Sequence, residues 1–554
     1  MIRTFFLLVL CSLTLSANTI IFNAKVYTLN DKQKWAEALV IEDDKIVFVG
    51  ATSKALTYKR EKSLLIDAKE HFVMPGFIDA HTHTAIAALL ENLGISLVGA
   101  KGKKEILQRL RDYKEQYPNK TIYAGVGFYP YAFGPNGPTK ELLDEIFPDR
   151  YAFFISNNGH QAWANSKTLD YLGITKESLD PLKGMQYYQR DKAGEPTGFL
   201  VEGEAVWPHF AKLSFANSDS FFKALEPFFP KLSKQGITTL FDAGVLGGQE
   251  EAYKALQALA IGKKLPLEYH ASYFVANRDQ AKESAQKLAL LQKQFEQKKF
   301  KISSIKFIND NSDDDNFGIT FSEDALFTYM SAIFKANANV MIHTSQDRST
   351  HQALNAIEKA KKLFPHTQSR VSLAHVNMVR DSDFRRFSDL DVTANIQTFN
   401  AVGGGYYEYR YMLYEDAWQD KLARFRHFFD SGVMVSASSD YPVCGSLKVC
   451  SPFYGIEIGM TRQKVGAGRG SDVLASKKEC LSLEQSLRAY TLNAAYQLGR
   501  EKYIGSLEVG KDADVIILDQ NPFNVSAYDL HKMEVIRTFS KGKTVYQRER
   551  NDYE

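Results

Sequence analysis

His81 and His83 are one residue apart at the end of the run Phe72-Val73-Met74-Pro75-Gly76-Phe77-Ile78-Asp79-Ala80-His81-Thr82-His83. Side chains alternate faces along an extended strand, so these two imidazoles point the same way. Neutral imidazole is the commonest side-chain metal ligand, and two from one rigid strand make half of a zinc site. Taken alone, the pair also reads as two surface histidines at a turn. The apolar strand before it, and Lys306, His343, His375 and Asp440 far along the chain, favour the metal. Imidazole and carboxylate oxygen suit zinc, with manganese or iron as alternatives, in a site for one or two divalent ions. Such an ion lowers the pKa of bound water to about 7 and polarises a carbonyl. Asp440 can ligate it, take the water's proton and return that proton to a leaving amine. Its plainer role is to cap the next helix; for His343 and His375 it is that of hydrogen-bonded core histidines. Lys306 has two readings of equal standing. A neutral lysine there can be carbamylated and bridge two metals, or the residue is a solvated charge at a strand end.

A set so scattered in sequence needs a scaffold that gathers strand ends. Eight short apolar runs alternate with helical stretches: Val73–Ala80, Ile237–Asp242, Leu267–Phe274, Ile302–Ile308, Val340–His343, Val371–His375, Val392–Gln397 and Val433–Ser438. This alternation argues for βα units and a parallel sheet, and eight units suit a (β/α)8 TIM barrel, an α/β fold whose active site lies at the carboxyl ends of its strands. Polar residues capable of chemistry keep that phase: His81 and His83, Asp242, Lys306, His343, His375, Gln397 and Asp440. Between the first and second runs lies an insertion of about residues 84–231, far longer than a usual βα connection. On the catalytic face it reads as a substrate-covering subdomain.

The two ends of the chain differ from this middle. Thr19–Thr28 and Ala38–Gly50, split by an Asp43-Asp44 turn, are short β-branched runs, and Ala513–Leu518, Glu534–Phe539 and Lys543–Tyr546 share their character. One small β-sandwich built from both termini is expected, from residues 18–72 and 504–554, around a barrel over 73–503. Before it, Arg3, the apolar run Phe5–Cys11 and the small residues Ser16 and Ala17 form a secretory signal over residues 1–17, too short for a stable membrane anchor. Its cleavage implies a periplasmic or secreted protein. The remaining cysteines are Cys444, Cys450 and Cys480; their scarcity argues against a disulfide framework but leaves one optional bridge, Cys444–Cys450. A formal net charge of +3 over 554 residues makes no case for nucleic acid or an acidic membrane surface. The lysine-rich stretch 280–301 has helical periodicity and reads as a solvated face. The expected partner is a small-molecule substrate; a homo-oligomer is left open.

Several motifs carry a resemblance to a family. The chain resembles the metal-dependent amidohydrolase superfamily, in particular the amidohydrolase-3 (YtcJ-like) branch that includes N-substituted formamide deformylases. The matching segments are Met74–His83, Pro138–Asp144, Asn158–Ser166, Gly194–Glu202 and Ile504–Asp514. The first and last mark the superfamily; the central ones are specific to the branch. The resemblance implies a barrel with a composite β-sandwich, metal held at His81, His83, His343 and His375, and a catalytic Asp440. It implies that Lys306 occupies the strand that carries a carbamylated lysine in some relatives. It also places His160 and Trp163 near the substrate, together with Glu202 and Gln397, against the alternative of internal packing. The expected activity is hydrolysis of an amide-type, non-peptide carbon–nitrogen bond. A metal-assisted isomerase, lyase or non-amide hydrolase on the same barrel is an alternative, and so is a binding protein that has lost catalysis.

The chain departs from its branch at three places. Asn158 stands where Asp usually precedes Gly-His, Gln397-Thr398-Phe399-Asn400 where relatives read Gln-Pro-x-His, and Asn309-Asp310-Asn311-Ser312-Asp313-Asp314-Asp315 where Asp-Gly is common. An imidazole and a carboxylate available for substrate or transition-state charge are thereby expected to be missing. Gly403-Gly404-Gly405 before Tyr406, Tyr407, Tyr409 and Tyr411 reads as a mobile aromatic loop beside the site, or as an ordinary long loop.

Overall fold

The computed structural model describes residues 18–549 apart from 158, 182, 185, 214–215, 246, 276–277, 311–320, 403–420 and 474–475. Eight strands form one parallel sheet: β1 Phe77–Thr82, β2 Ile237–Asp242, β3 Glu268–Phe274, β4 Phe300–Ile308, β5 Val340–Thr344, β6 Val371–His375, β7 Val392–Ile396 and β8 Val435–Ala437. They pair in sequence order, with Asp242 opposite Thr82, Ile308 opposite His343 and Thr344 opposite His375. Just past β8, the Asp440 amide donates to the His81 carbonyl (2.8 Å) and the His83 amide to Tyr441 (2.7 Å), which ties the last strand back to the first. The strands are almost wholly buried, as expected for a parallel sheet covered on both faces.

The run Val73–Ala80, expected as one barrel strand, is two strands in two layers. Phe72–Pro75 pairs with Val515–Leu518 and Lys25–Tyr27 in a six-stranded terminal sheet, and β1 starts at Phe77. Gly76 is the junction. Its amide donates to Asp514, and a Cβ there would lie 2.3 Å from the Thr238 side chain, so only glycine allows the approach. A second terminal sheet runs in the order Lys45–Gly50, Ala38–Glu42, Asn18–Phe22, Leu64–Asp67. Its hairpin turns at Asp43, in the left-handed region at φ 52°. Ile21, Val26, Leu39, Val73, Val515, Ile517 and Phe539 share one buried core, so both ends of the chain build this unit together.

The long connection after β1 carries its own six-stranded sheet, from Ile95–Ser96 to Tyr187–Arg190, and a separate aromatic core. The lysine-rich stretch contains the helix Ser284–Phe295, which buries Leu288, Leu291 and Phe295. Among the described residues no helix is long and apolar enough to cross a membrane. The expected signal (residues 1–17), Asn158, the acidic run 312–315 and the glycine-tyrosine segment 403–411 all lie outside the described residues.

Candidate metal centre

Strand ends bring the candidate ligands to one buried point. His81 Nε2 lies 3.4 Å and His83 Nε2 3.5 Å from Asp440 Oδ1, and His375 Nδ1 lies 3.9 Å from Asp440 Oδ2. Ligand atoms of His81, His375 and Asp440 all fall within 4.8 Å of one another. The His343 ring is 4.2 Å from that of His375. Asp440 caps no helix, because the next one begins at Pro452. Instead Asp440 and His375 both adopt left-handed backbone, at φ 52° and 75°. Such strain in non-glycine residues persists only where the surroundings enforce it.

Second partners set which nitrogen faces the centre. His83 Nδ1 lies 2.9 Å from the Gly244 carbonyl and His81 Nδ1 3.2 Å from Asn395 Oδ1, so in each ring Nε2 points inward. His343 is turned the other way: its Nε2 faces Ser345 Oγ at 3.1 Å and Asp310 Oδ1 at 3.3 Å. Asp310 is held there by the amides of Ser345 (2.7 Å) and Gln346 (2.9 Å). The segment after Lys306 therefore supplies a carboxylate beside the site, four residues on, in place of the one expected to be missing. Metal-bound histidines almost always have such an outer partner.

The donor set fits a divalent cation. Burial, followed by the Lys306 charge and neighbouring imidazoles, holds His81 well below the usual histidine range, and His343 and His375 are held down by the same kind of causes. Burial lowers His83 to about 4. All four rings are therefore neutral and able to ligate. His81 Nε2, Asp440 Oδ1 and Lys306 Nζ are buried without a hydrogen-bond partner. Buried polar atoms are rarely left so, and a missing ion is one of the few explanations. Burial also pushes the Asp440 carboxyl up and the Lys306 ammonium down. Lys306 is 2% exposed, which removes its reading as a solvated charge.

A cavity of about 990 Å³, open solvent at its mouth included, leads to this point. The barrel contributes Lys306, His343, His375 and Asp440 to its wall; the insertion contributes His160, Glu202, Ile155 and Trp207. His160 Nδ1 pairs with Glu202 at 2.8 Å, and its ring is 6.3 Å from that of His343. Trp163 and Gln397, both expected at the substrate, do not line the cavity. Trp163 packs in the core of the insertion against Phe128, Phe133 and Phe154, its indole N–H donating to Thr139. Strand alternation explains the outcome: in Gln161–Ala164, Trp163 is flanked by Ala162 and Ala164, and its face of the strand is the inner one of the insertion. Gln397 is wholly buried behind the metal centre, with Nε2 on Asn395 (2.8 Å) and Ser438 (2.9 Å). Asp242 is structural as well, accepting from the Ala85 amide, the Gly244 amide and the Tyr269 hydroxyl.

Trp207, Asp310 and Asn395 were not singled out from the sequence. Asn395 had a signal: it stands two residues before Gln397, on the same face of an otherwise apolar strand. Trp207 had none, since its place depends on how the insertion folds over the barrel.

The comparisons agree with this geometry. A model of the amidohydrolase family matches residues 64–546. The chain is 25% identical to N-substituted formamide deformylase of Arthrobacter pascens, covering 97% of this chain and 99% of the relative. It is 23% identical to YtcJ of Bacillus subtilis, covering 94% and 98%. A metal-dependent hydrolase from Pyrococcus horikoshii shares the fold with a TM-score of 0.71 at 22% identity, over 92% of this chain and 99% of that one. The chain belongs to the amidohydrolase family and is a metal-dependent hydrolase acting on carbon–nitrogen bonds.

Proposed function

We propose that the protein hydrolyses a small non-peptide amide, with Asp440 as the acid–base residue and His81, His83, His343 and His375 holding the cation. The observation that carries this reading is the convergence of His81, His83 and His375 on Asp440 within 3.9 Å, at the buried end of the cavity. When bound, a divalent ion, with zinc the first choice for this nitrogen and oxygen set, supplies Lewis acidity to the scissile carbonyl and to water. Asp440 accepts the proton of the attacking water and delivers it to the departing nitrogen. Lys306, whose ammonium burial pushes toward the neutral amine, is available for carbamylation as an additional oxygen ligand.

The His160–Glu202 pair binds the polar part of the substrate, and Ile155 and Trp207 its apolar part. This division suits an amide bearing an apolar nitrogen substituent, as the name of the Arthrobacter relative suggests. Gln397 acts from behind the site. The partition proposed is a signal over 1–17, sandwich segments at both ends, the second over 504–554, and a barrel to 503 with the insertion 84–231; the expected boundary at 72/73 moves to Gly76, because Phe72–Pro75 lies in the terminal sheet. Periplasmic or secreted localisation is supported by the signal-like N-terminus and by the Cys444–Cys450 disulfide, a bond that persists in oxidising compartments. The test is a turnover screen of N-formyl, N-acyl and cyclic amides with metal analysis of the same sample. The reading expects a divalent metal and hydrolysis that Asp440→Asn abolishes; hydrolysis surviving in Asp440→Asn would refute it.

A further inference from the structure

We propose that Asn395 and Gln497 are positioning residues that lock His81 in the tautomer with its proton on Nδ1 and so pre-form the metal site. The inference rests on the metal reading above. Gln497, at the end of the helix Leu492–Gln497, donates from Nε2 to the Ala80 carbonyl at 2.8 Å. A carbonyl only accepts, so the orientation of this amide is fixed, and Oε1 faces the barrel interior. There it accepts from Asn395 Nδ2 at 3.1 Å and from Ser436 Oγ at 2.5 Å. Asn395 is fixed in turn. Its Nδ2 is taken by Gln497 and Ser436, and its Oδ1 accepts from Gln397 Nε2 at 2.8 Å and faces His81 Nδ1 at 3.2 Å.

An amide oxygen cannot donate, so the His81 nitrogen facing it carries the proton. Nε2 then has its lone pair directed at Asp440 and the centre of the site, where no protein group bonds it. The relay starts at the carbonyl of Ala80 and ends on the ring of the next residue, so it fixes His81 relative to its own strand. All the groups involved are buried, and water does not compete for these bonds. Every side-chain polar atom of Asn395 and Gln497 has a partner, and a low-dielectric pair so satisfied specifies one arrangement. The C-terminal helix is thereby tied to the first metal ligand.

Zinc affinity and the His81 tautomer test this independently of turnover. Asn395→Leu, which keeps the volume and removes the acceptor, is expected to bind zinc about 10–100-fold more weakly in chelator competition. Asn395→Asp, which keeps an acceptor oxygen at Nδ1 but sets its other oxygen against Gln497 Oε1, is expected to bind zinc more tightly than Asn395→Leu. Gln497→Leu should weaken binding in the same direction as Asn395→Leu, though less. In metal-free wild-type protein labelled with 15N-histidine, the signal lost in His81→Asn should be that of an Nδ1–H ring. An Nε2–H ring overturns the proposal whether or not the variants fold. Wild-type affinity in a folded Asn395→Leu also overturns it, while leaving the metal reading intact. A wild-type chain that holds no divalent metal overturns that reading, and this inference with it.

Discussion

The two ends of the barrel bury charge in opposite ways. At the carboxyl ends of the strands, Asp440, Lys306 and four histidines share a buried space where key atoms lack partners. At the other end, where β3 begins, Glu268 is equally buried but ringed by basic side chains. It meets Lys541 at 2.6 Å, His270 at 2.9 Å and Arg500 at 3.1 Å, while Lys541 also reaches Asp512 at 3.3 Å. Lys541 and Asp512 belong to the C-terminal segment, so this network fastens the terminal unit to the barrel floor. Burial alone would raise the Glu268 carboxyl, yet His270, Lys541 and Arg500 outweigh it and hold the group well below the usual range. In barrels of this kind, conserved polar groups at the bottom serve stability, whereas those at the top serve chemistry. The difference between the ends is one of close charge pairing, not of burial.

Substitutions at the two ends should therefore separate activity from stability. The largest effect is expected for Asp440→Asn: turnover falls by about 10²–10⁴-fold, on the order of an acid–base contribution. Its midpoint of thermal unfolding should stay level or rise, because a buried carboxylate lacking a full set of partners is removed; a marked fall in that midpoint would blur the contrast. Glu268→Gln should do the reverse. Leaving Lys541 and Arg500 with Asp512 as their remaining acidic neighbour costs up to about 3–5 kcal/mol of stability in denaturant titration, with metal content unchanged. Loss of metal from a folded Glu268→Gln protein would show that the two ends are not independent.

The same pair of proteins gives a pH test. The Glu268 pKa is depressed in the fold from an ordinary 4.5, so the unfolded chain binds the proton more readily. Its stabilisation is complete above 4.5 and drains away as the pH falls through and below that value. The stability gap between wild type and Glu268→Gln should narrow over this acid range, and a gap that stays constant would assign the stability to something other than the carboxylate. The smallest effect is expected at the cavity wall. Trp207→Leu should raise KM by about tenfold, a loss of apolar contact with substrate, with kcat and unfolding midpoint little changed. A KM identical to the wild type would remove Trp207 from the substrate wall.

Much of this was legible in the sequence because strand chemistry repeats. Apolar runs ending in His81, His343, His375 and Asp440 disclosed both the barrel and the end at which it works. Period-two alternation gave the shared face of His81 and His83. Where local pattern did not decide, tertiary packing did. Phe72–Pro75 and β1 read as one continuous strand until Gly76 was seen to pass against Thr238, splitting them between two layers. Trp163 and Trp207 are the same residue type in the same insertion, yet one fills its core and the other faces the cavity. Trp163 lies in a strand between two alanines and Trp207 in the helix Gly203–Lys212, but neither local pattern tells which face the fold turns to the cavity. Gln497 carried no signal at all, since its partner Ala80 is 417 residues away.

Dependence on metal bears on the whole account. Purified protein is stripped with chelator, its metal content is measured, and hydrolysis of an N-substituted formamide is followed before and after zinc is restored. The account predicts a divalent metal in the untreated protein, loss of hydrolysis on stripping and recovery on addition. Undiminished hydrolysis by verifiably metal-free protein would contradict it.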